Sequence, residues 1–168
     1  MQMTSFRKRL IAAALVGFSA HAGAQSQPQE PAYTPNLWRV EISPYTYHYS
    51  YNVEHRPVRL IGLERETPDR WFVGGAYFSN SFGQDSGYVY MGRSYYNVFE
   101  SLPRVYLKWS AGLMYGYKDP YEDKVPLNYK GFSPAIVPAV GWRFNGGWNA
   151  QVNVLGAAAL MFSLVKEL

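Results

Sequence analysis

The chain has 168 residues, 17% of them aromatic, with no cysteine and a formal charge of +4. That length suits one domain with a sizeable core, and the missing cysteines exclude a disulfide-stapled scaffold. The charge does not point to nucleic acid: Arg7, Lys8 and Arg9 belong to an export signal, and the rest of the chain is nearly neutral.

Met1–Ala24 reads as that signal peptide, with a basic head, the apolar run Leu10–Ala20 and small residues Ala22-Gly23-Ala24 for cleavage. The apolar run is too short to cross a bilayer as a helix. Gln25–Leu37 has three prolines and no periodicity, so residues 25–37 are expected to form an extended leader.

From Trp38 to Leu168 the sequence repeats one pattern, an alternating run rich in Tyr, Val, Phe and Trp closed by polar or turn residues. The expected strands are Trp38–Tyr51, Pro57–Glu66, Arg70–Ser81, Ser86–Asn97, Arg104–Tyr117, Phe132–Phe144, Trp148–Leu155 and Ala157–Leu168. In the last run Ala158, Leu160, Phe162 and Leu164 share one face, while Ala159, Met161, Ser163, Val165 and Glu167 share the other. Eight strands leave about 16 residues each with connections, which fits tilted membrane strands of about 9–11 residues. The expected fold is therefore all-β, an eight-stranded antiparallel transmembrane β-barrel over residues 38–168. A soluble sandwich or lipocalin-like barrel uses the same alternation, but Tyr and Trp near strand ends match interfacial girdles. An even strand count puts both termini on one side. With the termini in the periplasm, connections near Asn52–Arg56, Phe82–Asp85, Lys118–Lys130 and Gly156 face outward. A closed barrel satisfies its own edges, so a monomer is expected.

Few residues carry chemistry. After signal removal only His48 and His55 remain as histidines. Without cysteine or a ligand pattern they do not suggest zinc. Phosphate-loop, GxSxG and HExxH motifs are absent from the sequence, so no metal and no cofactor is expected. Asn80 and Ser81 beside Gly83 suit an ordinary turn, and Gly92 inside a strand suits a barrel bend. Pro44, Pro134 and Pro138 each remove a ladder donor from the first and sixth strands. Arg56, Arg59, Lys118, Lys124 and Lys130 lie near the outward rim, but acidic Asp119, Glu122 and Asp123 are interspersed among them.

Taken in order, these positions resemble a known family. Pro44-Tyr45-Thr46-Tyr47-His48, Arg56-Pro57, Gly62-Leu63-Glu64-Arg65, Phe78-Ser79-Asn80-Ser81-Phe82 and then Gly92 are similar to the motifs of the outer-membrane lipid A palmitoyltransferase (PagP) family. The resemblance covers about residues 44–92. It departs at Asn80, where the family has an acidic residue, at Gln25–Leu37, where the family has an amphipathic helix, and at the very short connection between the last two strands.

The resemblance implies transfer of a palmitoyl chain from a glycerophospholipid to lipid A in the bacterial outer membrane. It implies His48 as the base, Ser81 as its hydrogen-bonding partner or an oxyanion donor, and Asn80 as orienting His48 or polarising the ester. It places Gly92 at the floor of the acyl pocket and makes Pro44, Pro134 and Pro138 points of lateral lipid access. Two alternatives stand beside it. One is a non-catalytic small barrel serving structure or solute passage. The other is a lipid A deacylase, suggested by the His-x-Ser spacing of His48 and Ser50.

Overall fold

The computed structural model describes residues 36–168; the expected signal peptide and nearly all of the leader lie outside the described residues. Eight strands follow in chain order: β1 Leu37–His48, β2 Arg59–Glu66, β3 Trp71–Ser79, β4 Asp85–Tyr96, β5 Val105–Tyr115, β6 Phe132–Arg143, β7 Trp148–Leu155 and β8 Ala159–Glu167. Each pairs antiparallel with the next, and β1 pairs with β8 to close the barrel. The fold is a closed eight-stranded antiparallel barrel of the transmembrane type. Leu37 and Glu167 lie at one end, called here the terminal rim; His48, Ser79 and Ala159 lie at the far rim.

The strands are shorter than the aromatic runs suggest. β1 stops at His48 rather than Tyr51 because the chain turns at Asn52, whose side chain accepts a hydrogen bond from the Glu54 amide at 2.9 Å. β2 accordingly begins at Arg59 rather than Pro57.

Alternation places polar residues inside and apolar residues outside. Glu41, Glu64, Glu66, Lys108 and Gln151 are buried in the lumen, whereas Ile61, Val73, Val89 and Ile136 are more than half exposed on the outer wall. A water-soluble barrel shows the reverse pattern; a barrel solvated by lipid shows this one.

The lumen has two unlike halves. Towards the terminal rim it is filled by paired polar side chains. Arg39 Nη1 donates to Glu66 Oε2 at 2.6 Å, Ser94 Oγ donates to the same oxygen at 2.7 Å, and Lys108 is ion-paired with Glu64. Glu41 accepts hydrogen bonds from Asn153 and Gln151. Buried charges persist in this way only when they are paired and hydrogen-bonded. Towards the far rim the lumen is lined largely by apolar side chains and is hollow.

Two irregularities in the ladders shape the far half of the barrel. The β1–β8 register runs from Arg39↔Glu167 to Ile42↔Leu164, then resumes one residue out of step at Tyr45↔Phe162. Ser43 and Pro44 supply the extra residue of this β-bulge. Before it, odd-numbered Arg39, Glu41 and Ser43 point inward; beyond it, even-numbered Thr46 and His48 do. The second irregularity is a pair of gaps. The β1–β2 ladder ends at Ser43↔Leu60, so residues 44–48 bond only to β8. The β6–β7 ladder begins at Ala139↔Asn153, so residues 132–138 pair with β5 but not with β7.

Candidate active site

His48 is the last residue of β1, turned into the barrel mouth by the bulge. Ser81 follows the end of β3. Its backbone carbonyl accepts a hydrogen bond from the Arg56 amide at 2.8 Å, which ties the first far-rim loop to the second. The two side chains meet there: His48 Nε2 lies 2.7 Å from Ser81 Oγ. That is the separation a proton-transferring pair requires.

Aromatic rings brace this pair. The His55 ring lies on His48 with centroids 4.2 Å apart, and its edge meets Phe82 at 5.6 Å. Phe82 in turn stacks on Tyr121 at 4.2 Å and touches Tyr117 at 6.2 Å. Burial pushes the Tyr117 hydroxyl up from its ordinary value, while the hydroxyl and amide of Ser81 pull it back. Tyr117 therefore stays a neutral phenol beside Ser81 at physiological pH.

Asn80 is not brought to His48. It is fully buried, and both ends of its amide are occupied. Oδ1 accepts from the Phe82 and Gln84 amides at 3.0 Å each, and Nδ2 donates to Gln84 Oε1 and to the Gly116 carbonyl at 3.2 Å each. Asn80 builds the loop that carries Ser81 rather than orienting the imidazole. Ser50 also stays apart, exposed beyond the end of β1, so Ser81 is the hydroxyl partner of His48.

Beneath the pair opens a cavity of about 580 Å³, within the range of small-molecule pockets. His48 and Ser81 line its mouth, Lys124 to Pro126 form part of its roof, and Leu60, Phe78, Met114, Val137 and Met161 form its walls. Its floor is polar: Tyr88, Tyr90, Glu64, Lys108 and Gln151. Tyr88 reaches across the lumen to donate to the Ala135 carbonyl at 3.2 Å, and its ring stacks on Tyr90 at 4.6 Å.

Gly92 points inward but does not line the cavity. It lies nearer the terminal rim, in register with Phe72 on one side and Ser110 on the other. A Cβ at Gly92 would come within 2.5 Å of the Phe72 ring and within 2.9 Å of the Ser110 Cα. The glycine accommodates close packing below the tyrosines, and Tyr88 and Tyr90 close the pocket above it. Gly92 was singled out by its place after Ser81 in the resemblance; it shares the inward face of β4 with both tyrosines, and nothing in one sequence shows which inward residue the lumen leaves uncovered.

Pro134 and Pro138 face outward on the stretch of β6 that β7 does not pair, and Pro44 lies in the bulge where pairing with β2 stops. All three prolines thus stand at gaps in the wall beside the cavity.

No protein-family model matches the sequence, and no curated protein matches it. Among solved structures, one described as de novo design of transmembrane beta-barrels is 14% identical and has a TM-score of 0.58, covering 81% of this chain and 98% of its own. The outer membrane protein Ail of Yersinia pestis in a phospholipid bilayer nanodisc is 13% identical with a TM-score of 0.42, covering 79% of this chain and 99% of its own. The first of these likenesses is one of fold.

Proposed function

We propose that this protein is an outer-membrane acyltransferase that moves a palmitoyl chain from a glycerophospholipid to a hydroxyl of lipid A. The observation that carries the reading is the 2.7 Å contact between His48 Nε2 and Ser81 Oγ at the mouth of an apolar-walled cavity. The wall gaps at Pro44 and at Pro134–Pro138 let a lipid slide in from the bilayer, so its chain occupies the cavity while its headgroup stays outside.

The chemistry needs one base and a donor for the tetrahedral oxyanion. His48 Nε2 takes the proton from the acceptor hydroxyl as that oxygen bonds to the ester carbonyl carbon. The carbon–oxygen bond to glycerol then breaks, and the imidazolium returns the proton to the leaving oxygen. Ser81 holds Nε2 towards the mouth in the resting enzyme. Once the acceptor hydroxyl displaces it, its own hydroxyl is free to donate to the oxyanion. The products are acylated lipid A and a lysophospholipid, so atoms and protons balance.

Mass spectrometry of lipid A from cells with and without the protein tests the reading. The expected result is one added palmitoyl mass, absent in His48→Ala and Ser81→Ala barrels that remain folded. Loss of a chain instead would indicate a deacylase. Unchanged lipid A would leave a non-catalytic barrel.

A further inference from the structure

All five tryptophans, Trp38, Trp71, Trp109, Trp142 and Trp148, lie towards the terminal rim and point outward. Three cations share their face in direct cross-strand register. Arg65 pairs with Trp38, its guanidinium carbon 5.8 Å from the ring centroid. Lys166 pairs with Trp148, its Nζ 5.5 Å from the ring. Arg93 sits between Trp71 and Trp109 in adjacent ladders, 5.7 Å from the Trp71 ring and 5.6 Å from that of Tyr95.

Glu66 and Glu167 point into the barrel, where Arg39 pairs with both. Asp69 in the β2–β3 turn accepts a hydrogen bond from Thr67 and also feels the charge of Arg93. Arg65 and Lys166 donate to neutral groups instead, the Asn36 side chain and the Gly146 carbonyl. The Arg93 Nε is buried without a hydrogen-bond partner in the protein. The far rim differs, with tyrosines such as Tyr45, Tyr77 and Tyr115 outside and loops of mixed charge.

We infer that the terminal rim is a binding collar for anionic phospholipid headgroups. Tryptophan settles at the depth of the headgroups, and a cation held over its ring keeps its charge while shedding water. A cation at that depth held by neutral groups, as Arg65 and Lys166 are, is complemented by a lipid phosphate bearing net negative charge. The collar also orients the barrel, with the terminal rim in the leaflet that carries anionic glycerophospholipid. This inference is independent of acyl transfer.

Because every tryptophan lies on this rim, intrinsic tryptophan fluorescence reports on its lipids. The full chain is reconstituted in vesicles holding equal mole fractions of phosphatidylcholine and phosphatidylglycerol, with bromine on the chains of one or the other. Brominated phosphatidylglycerol is expected to quench roughly twofold more strongly or better, and high salt should shrink the excess. Arg65→Gln, Arg93→Gln and Lys166→Gln combined should abolish it, while Arg59→Gln with Lys130→Gln at the far rim should not. Equal quenching in the unsubstituted protein overturns the inference. So does an excess untouched by salt, a result that needs no variant to fold.

Discussion

His48 and Ser81 are 33 positions apart in the chain, yet Nε2 and Oγ lie within 2.7 Å because one extra residue in β1 reverses the inward face of the strand. Continued from Arg39, Glu41 and Ser43 without the bulge, the alternation would point Tyr45 and Tyr47 inward and His48 at lipid.

Deleting Pro44 removes the extra residue and regularises the ladder, with Ser43 inward, Tyr45 outward, Thr46 inward, Tyr47 outward and position 48 still inward. Deleting Thr46 beyond the bulge instead shifts the alternation by one and should turn position 48 to the outer wall. Placing Cys at position 48 in both deletions provides the reporter. With Pro44 deleted the thiol should still react from the aqueous mouth, and with Thr46 deleted it should react with a bilayer-soluble reagent. In the protein that keeps His48, the Thr46 deletion should reduce acyl transfer by about 10²–10⁴-fold, as losing a general base does. The same labelling in both deletions would show that the alternation beyond the bulge does not set the face.

Asn80 should behave as a support of the Ser81 loop. Asn80→Ala strands the Phe82 and Gln84 amides and should cost about 1–3 kcal/mol, read from the denaturant midpoint of the refolded barrel. Asn80→Asp should be at least as damaging. Gln84 Oε1 and the Gly116 carbonyl both point at the amide nitrogen and would face a carboxylate oxygen instead. An aspartate variant that gains stability and activity would show that the acidic residue of the resembled family suits this loop after all.

The depth of the pocket depends on Tyr88. An extended chain of single bonds advances about 1.2 Å per bond, and removing a ring clears about 3.5 Å. Tyr88→Ala should therefore shift donor preference about three carbons longer, read by competing phospholipids of different chain length. Gly92→Met should impair folding rather than shorten the preferred chain, since its Cβ would crowd the Trp109 carbonyl and the Phe72 ring. A folded Gly92→Met barrel with shorter chain preference would move the floor back to Gly92.

The gap between β6 and β7 should serve as the lipid passage. Continuing the ladder past Ala139↔Asn153 sets Pro138 opposite Val154 on the outer face. A disulfide between Pro138→Cys and Val154→Cys should stop transfer when oxidised and restore it on reduction. Full activity in the oxidised form would place lipid access elsewhere, with the β1–β2 gap as the remaining break in the ladders.

The number of strands and their alternation were legible in residues 38–168, because pleated strands impose a period of two and lipid outside with paired polar groups inside makes that period visible. The inward set Ala159, Met161, Ser163 and Val165 of β8 was readable in this way. His48 and Ser81 were readable as a pair only through order and spacing against a known family.

Three features depended on closure of the sheet. Pro44 in the sequence marks a lost ladder donor, but only the register against β8 makes it a bulge that turns His48 inward. Asn80 is a turn residue in either reading, and only its partners from Gln84 and Gly116 commit the amide to the loop. Gly92, Tyr90 and Tyr88 share one face of β4, and only the groups brought against them by β2, β3, β5 and β6 decide which of them borders empty space. The sequence by itself determined the local periodicity, because that depends on neighbours along the chain. The position of the cavity and the pairing at its mouth were decided by contacts across the barrel, which no local pattern encodes.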